Sequence, residues 1–200
     1  STSLEDKEKL ISEGINYSEM ITDETPVSEQ MNQIFKDMVQ SEKKDLANYV
    51  GIVSQSIMKQ YETPIIVSLA RAGTPIGILI KRYIKFKYFI DVPHYSISII
   101  REKGIDTNAL DFIINKHNSD KLVFVDGWTG KGSITEELEK SISNYNKTHE
   151  TNISSNLIVL ADPAYKSLYS GTKKDICIPN ACLNSTVSGL VSITIKNSNY

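Results

Sequence analysis

The stretch from Lys121 to Leu138, KLVFVDGWTGKGSITEEL, constrains the fold of this chain more than any other. A short apolar run, Leu122 to Val125, leads to an acidic residue, Asp126, then to a loop of Thr, Gly, Lys and Ser, and then to an amphipathic helical pattern. A strand that passes through a small-residue loop into a helix is a unit of α/β architecture. Its loop gathers backbone N–H groups beside the positive end of the helix dipole, where an anion sits favourably. Gly130 and Gly132 carry no Cβ to block the turn or the ligand. Ser133, with Glu136 three residues on, reads as a capping box and predicts a helix starting at Ser133. Thr129, Gly130, Lys131, Gly132 and Ser133 are therefore the expected phosphate site, and Asp126 is placed to accept from sugar hydroxyls or to hold a metal.

Two common phosphate motifs do not fit. A Walker A loop requires Ser or Thr directly after Gly-Lys, whereas Gly130-Lys131 is followed by Gly132. The dinucleotide fingerprint G-x-G-x-x-G is absent.

A second unit of the same kind precedes this one. Ile65 to Leu69 reads as a buried strand and Ala70 to Gly73 as a tight turn, with Thr74 as N-cap and Pro75 at the first helical position. Ile76, Leu79, Ile80 and Tyr83 are the expected apolar face of that helix. The turn contains Arg71, whose planar fork matches pairs of phosphate oxygens. Further on, Tyr95, Ile97 and Ile99 alternate with His94, Ser96 and Ser98, a half-buried strand. Arg101 to Gly104 then reads as a basic loop, and Asp106 as the cap of a helix bearing Leu110, Ile113 and Ile114. Charged loops leaving the carboxyl ends of such strands point into one crevice.

The flanks complete the pattern. Residues 4–25 read as a short helix or ordered arm ended by Pro26. From Ser28, apolar positions recur every three or four residues through Ile57, giving two helices or one helix bent between Ser41 and Asp45. After the central helix, Asn156 to Ala161 is a strand ending at Asp162, KKDICIP is the next strand, and a last helix follows with Asn184 or Ser185 as its cap. Strands alternating with helices predict a mostly parallel central sheet with helices on both faces, an α/β core over 63–200 preceded by an N-terminal helical segment over 1–62.

Composition bounds the function. With 22 basic and 24 acidic residues and no polybasic run, the chain carries no signal for a nucleic-acid partner. No apolar stretch is long enough for a bilayer span and no leader pattern opens the chain, so a cytoplasmic location is expected. Cys177 and Cys182 suit neither a disulfide framework nor a zinc site.

The loop at 129–133 resembles the phosphoribosyl-pyrophosphate (PRPP) loop of type I phosphoribosyltransferases. The longer motifs VSLARAGTPIGILIKR, DVPHYSISIIREKGID, VFVDGWTGKGSI and CLNSTVSGL resemble a bacterial family found with tellurium-resistance stress operons, described as phosphoribosyltransferase-like and also named cysteine protease StiP. The family's members extend beyond both ends of this chain. The resemblance implies a type I phosphoribosyltransferase fold and a PRPP- or phosphoribosyl-binding transferase in nucleotide-like metabolism. Its ligand would be a small phosphosugar or nucleotide, with Mg2+ at Asp126 and a homodimer as the assembly. It places Ala70, Arg71, Ala72 and Gly73 on pyrophosphate and Asp126, Arg71 and Arg101 in the catalytic role. Trp128, Lys103, Asp162, Asn184 and Ser185 fall to the acceptor or to a closing lid. Well-studied members of the fold carry two adjacent acidic residues where this chain has Asp126-Gly127, and an aspartate where it has Trp128. Alternatives are a non-catalytic nucleotide or PRPP sensor and a cysteine peptidase using Cys182, for which His94 is the histidine placed to face the crevice.

Overall fold

A computed structural model describes residues 27–176 and 178, together with residues 9, 12 and 13. The expected N-terminal arm, both cysteines, Asn184, Ser185 and the last expected helix lie outside the described residues. The elements are α1 (Glu29–Gln60), β1 (Ile65–Ala70), α2 (Gly73–Tyr88), β2 (His94–Ile100), β3 (Gly104–Ile105), α3 (Thr107–Ile114), β4 (Leu122–Trp128), α4 (Ser133–His149), β5 (Leu157–Ala161) and β6 (Tyr169–Thr172). They form one six-stranded sheet in the order β3-β2-β1-β4-β5-β6. Every pairing is parallel except β2 with β3.

Both faces of the sheet are covered, which is why its central strands are apolar at nearly every position. Side chains alternate across a strand, so Ile65, Val67 and Leu69 of β1 join Leu110 and Ile113 of α3 and Leu138 and Ile142 of α4 on one face. Ile66 of β1, with Val123 and Val125 of β4, meets Val50, Val53 and Ile57 of α1 and Ile76, Ile80 and Ile84 of α2 on the other.

Four local expectations are corrected. The first helix is continuous over 32 residues, capped by Ser28, whose hydroxyl accepts the Met31 N–H at 3.1 Å. The charged residues 42–45 do not break it, because Glu, Lys and Leu are good helix formers and no Gly or Pro intervenes before Gly51. In α2 the helix begins at Gly73 rather than after Thr74, and the Thr74 hydroxyl bonds sideways to Ser96 at 2.9 Å. Of the expected apolar face of α2, Ile76 and Ile80 are buried with Ile84 and Tyr83 packs against them, while Leu79 is exposed. Arg101 to Lys103 is a tight turn closing an antiparallel hairpin with β3, held on α4 by the Glu102 N–H to Glu137 at 2.9 Å and the Ile105 N–H to Ser141 at 3.2 Å.

The strand that follows β5 is Tyr169–Thr172. The expected strand KKDICIP lies partly outside the described residues, and its residues 173–176 are not in a strand. Gly171 explains the choice, since it brings β6 against α1 where a Cβ would lie 2.9 Å from the Tyr49 Cα and 3.0 Å from the Leu160 carbonyl oxygen. Backbone atoms cannot swing away, so Gly171→Ala is expected to cost about 1–3 kcal/mol through overpacking. Urea unfolding checks this, and a variant within 0.5 kcal/mol of the parent (about the scatter of neutral surface changes) contradicts it.

Candidate functional site

The site is assembled where the carboxyl ends of β1, β2 and β4 meet. β1 runs into the Ala70–Gly73 turn, in which the Ala70–Arg71 peptide is cis and the Thr74 N–H bonds to the Arg71 carbonyl at 3.2 Å. β4 lies beside β1 in parallel and runs on to Asp126, Gly127 and Trp128. The two turns touch at Gly73. A Cβ there would lie 2.7 Å from the Val125 carbonyl oxygen and 3.1 Å from the Asp126 Cα, so only glycine lets them close together.

Between them is a cavity of about 430 Å³. Ala70, Arg71 and Ala72 line it from the first turn, Arg101 from the hairpin, and Asp126 from β4, with Leu69, Ile99 and Ile134 as apolar walls. Asp126 is 9 % exposed and accepts the Gly127 N–H at 2.7 Å. Burial pushes its carboxyl up to about 7, and the Gly127 amide offsets only part of that rise. This is the protonation range of an acid–base group at neutral pH.

Gly127 follows Asp126 in β4, and a Cβ at this position would meet the end of the Ile178 side chain at 2.9 Å and Ile76 at 3.6 Å.

The second loop wraps the start of α4. Gly130 and Gly132 take left-handed backbone, φ 56° and 92°, and the Gly132 N–H closes the turn on the Thr129 carbonyl at 2.8 Å. Gly132 itself is the N-cap, so the capping box read at Ser133 and Glu136 does not form. Ser133 is instead the first helical residue, and Glu136 reaches Lys166 at 3.5 Å. The first-turn amides of α4 have no partner within the helix and face whatever occupies the loop. Lys131 is exposed there.

The Thr129 hydroxyl, expected to face a phosphate, donates to Asp162 at 2.9 Å. Asp162 is fully buried behind the loop. It also accepts the Lys166 N–H at 2.9 Å, the Ser167 N–H at 3.2 Å, the Ser167 hydroxyl at 2.7 Å and the Lys173 ammonium. Burial alone would raise this carboxyl, but the bonds from Lys173, Lys166 and Ser167 outweigh it and hold the group below the usual carboxylate range. Asp162 therefore braces the loop from behind.

The remaining expected residues are dispersed. Trp128 is 48 % exposed, with its indole N–H on Asp175 at 3.1 Å. Lys103 lines a neighbouring polar groove of about 310 Å³ between the hairpin and α4. His94 lies under α2, its Nε2 2.7 Å from the buried Ser68 hydroxyl, and burial followed by the Lys81 charge holds it below the usual imidazole range. A Cβ at Gly77 would strike both partners. His117 bonds the Tyr95 hydroxyl at 2.7 Å, and His149 stacks on Tyr145. Lys166 and Lys173 were not anticipated, because only the folded chain brings the loop after β5 against the loop after β4.

Among the described residues no group of three or more His, Cys, Asp and Glu side chains is placed to hold a metal, and no helix is long and apolar enough to cross a membrane.

Residues 1–200 match the profile of the family described as tellurite-like stress resistance cysteine protease StiP. A protein of Acinetobacter baylyi (strain ATCC 33305 / BD413 / ADP1) named cysteine protease StiP is 39% identical over 196 residues, covering 97% of this chain and 50% of that protein. The chain thus spans half the length of that relative. Among solved structures, hypoxanthine phosphoribosyltransferase from Trypanosoma cruzi, a substituted form complexed with the product IMP, overlaps with a TM-score of 0.43 at 13% identity, covering 66% of this chain and 68% of that one. An asparagine mutant of an invariant aspartic acid in hypoxanthine phosphoribosyltransferases overlaps with a TM-score of 0.42 at 11% identity, covering 64% and 74%. These structural overlaps are partial, whereas the sequence match runs through the whole chain. The chain belongs to the StiP family of tellurite-like stress resistance proteins.

Proposed function

We propose that the protein binds a phosphorylated ribose, with PRPP as the reference ligand, and transfers its phosphoribosyl group to an acceptor. The observation that carries this reading is the cavity in which Arg71, Arg101 and the buried Asp126 converge beside the glycine loop at the start of α4. Two guanidinium groups suit a diphosphate, the loop amides suit a terminal phosphate, and a recessed carboxylate suits the ribose hydroxyls that lie between them. The acceptor would form its bond to C1 as the bond from C1 to the diphosphate oxygen breaks, the electron pair leaving with the diphosphate. Positioning and charge neutralisation by the two arginines would supply most of the rate. Mg2+ usually binds through one or two carboxylates together with substrate phosphates. Asp126 is the one carboxylate lining the cavity among the described residues, so the ion would be shared with the bound diphosphate. The product would be a nucleoside-like metabolite used in stress resistance.

With Asp126 as the one carboxylate lining it among the described residues, the same pocket also suits a sensor that binds without turnover. A second reading, a cysteine peptidase, comes from the family's description. It needs a histidine base beside a thiolate. The three histidines contact Ser68, Tyr95 and Tyr145, and His149 lines the second groove beside the hairpin, while both cysteines lie outside the described residues.

The discriminating experiment is a thermal-shift panel with PRPP and Mg2+, ribose 5-phosphate, AMP and ribose, with and without prior alkylation by iodoacetamide. Stabilisation by the phosphorylated compounds, absent with ribose and insensitive to alkylation, is expected. Diphosphate release would then distinguish transferase from sensor. No shift with any phosphorylated compound, with alkylation-sensitive hydrolysis of a casein substrate, would establish the peptidase instead.

A further inference from the structure

We propose that Lys166 is a further phosphate-binding residue of the loop at the start of α4, held by Glu136 until an anion arrives; this rests on the phosphosugar reading above. The lysine stem lies along the N-cap glycine. A Cβ built on Gly132 would be 3.0 Å from its Cγ, 3.6 Å from its Cδ and 3.5 Å from its Cε, so the glycine leaves the space that the stem occupies. The backbone of Lys166 is fixed by its own N–H on Asp162 and by both bonds from Ser167 to the same carboxylate. The Thr129 hydroxyl ends there too. One buried side chain thus fixes both the first residue of the anion loop and the lysine that backs its last glycine.

Only the ammonium end of Lys166 is loosely held. It is 3.5 Å from the Glu136 carboxylate, and the two side chains are 48% and 65% exposed. Exposed pairs of this kind bind weakly. A phosphate at the first turn of α4 would carry more charge than Glu136 and accept from the loop amides at the same time. Rotation about the terminal bonds of Lys166 would let its ammonium exchange Glu136 for that anion while the stem stays along Gly132. Glu136 is therefore a competitor for the lysine, and its removal should help the ligand.

The test is calorimetric titration of ribose 5-phosphate into the wild-type protein, Lys166→Met, Lys166→Arg and Glu136→Gln, with the melting temperature of each recorded. Lys166→Met keeps the stem over Gly132 and is expected to weaken binding about fivefold or more, with Lys166→Arg largely restoring it. Glu136→Gln is expected to tighten binding about twofold or more, an effect opposite in sign to any loss of structure. Unchanged affinity in Lys166→Met while the wild type binds would overturn the lysine assignment and leave the phosphosugar reading standing. Absence of wild-type binding would overturn both. If Lys166→Met does not fold, unchanged or weaker binding by Glu136→Gln overturns the assignment on its own.

Discussion

Asp162→Ala is expected to lower folding stability by about 3 kcal/mol, the range seen when one partner of a buried charged network is removed. The substitution leaves the Thr129 hydroxyl, the Lys166 and Ser167 amides and the Lys173 ammonium without their shared acceptor. These groups lie on the loop after β4, the turn after β5 and the end of β6, so three connections loosen together. The pH dependence follows from the depressed carboxyl. Its folded value lies below the unfolded value of about 3.9, so the folded state binds fewer protons and the stabilisation is fully present above that value. It is lost as pH falls further. Urea unfolding at pH 7 should show the full deficit, and the gap between variant and parent should narrow below about pH 4. A deficit under 1 kcal/mol at pH 7, or one independent of pH down to acid unfolding, contradicts the bracing role.

Asp126→Asn is expected to do the reverse. Its carboxyl is buried and raised to about 7, so between about 3.9 and 7 the folded state holds a proton that the unfolded state has released. Stability contributed by this group therefore falls as pH rises through that window and stays low above it. Asparagine keeps the shape and can still accept the Gly127 N–H, but has no charge to bury. At pH 8 the variant should be more stable than the parent by on the order of 2 kcal/mol, a figure discounted from the full shift for relaxation around the site. At pH 4 the two should coincide. Asp126 lines the cavity together with Arg71 and Arg101, so under the proposed function the same substitution is expected to abolish turnover. Equal melting temperatures at pH 8, or a less stable variant, would contradict this.

The fold was legible because its signals are local. Hydrophobic runs of strand length at Ile65–Leu69 and Leu122–Val125, each followed by a small-residue turn and a helical period, specify parallel strands buried on both faces. The Asp106 cap could be read for the same reason, its carboxylate accepting the Ala109 N–H at 3.1 Å. The charged edge of the cavity was legible too. Arg71, Arg101 and Asp126 were each picked out from their positions at strand ends, and the sheet brings all three to one recess.

What was not legible depends on contacts distant in sequence. Nothing in YSGT marks it as a strand until Gly171 is seen against Tyr49. The residues ADP after β5 read as a strand end, yet Asp162 is fixed by partners before and after it, from Thr129 to Lys173. Ser133 followed by Glu136 satisfies a capping pattern, but the left-handed Gly132 takes the N-cap position and Glu136 turns outward to Lys166. The Arg101–Lys103 turn read as a loop because a two-residue edge strand leaves no hydrophobic period to detect.

If Asp126 and its arginine-lined cavity hold the sugar of a phosphorylated ribose, removing the carboxylate must weaken the ligand. The decisive measurement is calorimetric titration of PRPP with Mg2+ at pH 8 into the wild-type protein and into Asp126→Asn. Micromolar binding by the wild type, weakened at least about tenfold in the variant, roughly 1.4 kcal/mol, is the predicted result. Equal affinity in a folded, more stable variant, or no heat with the wild type, would contradict it.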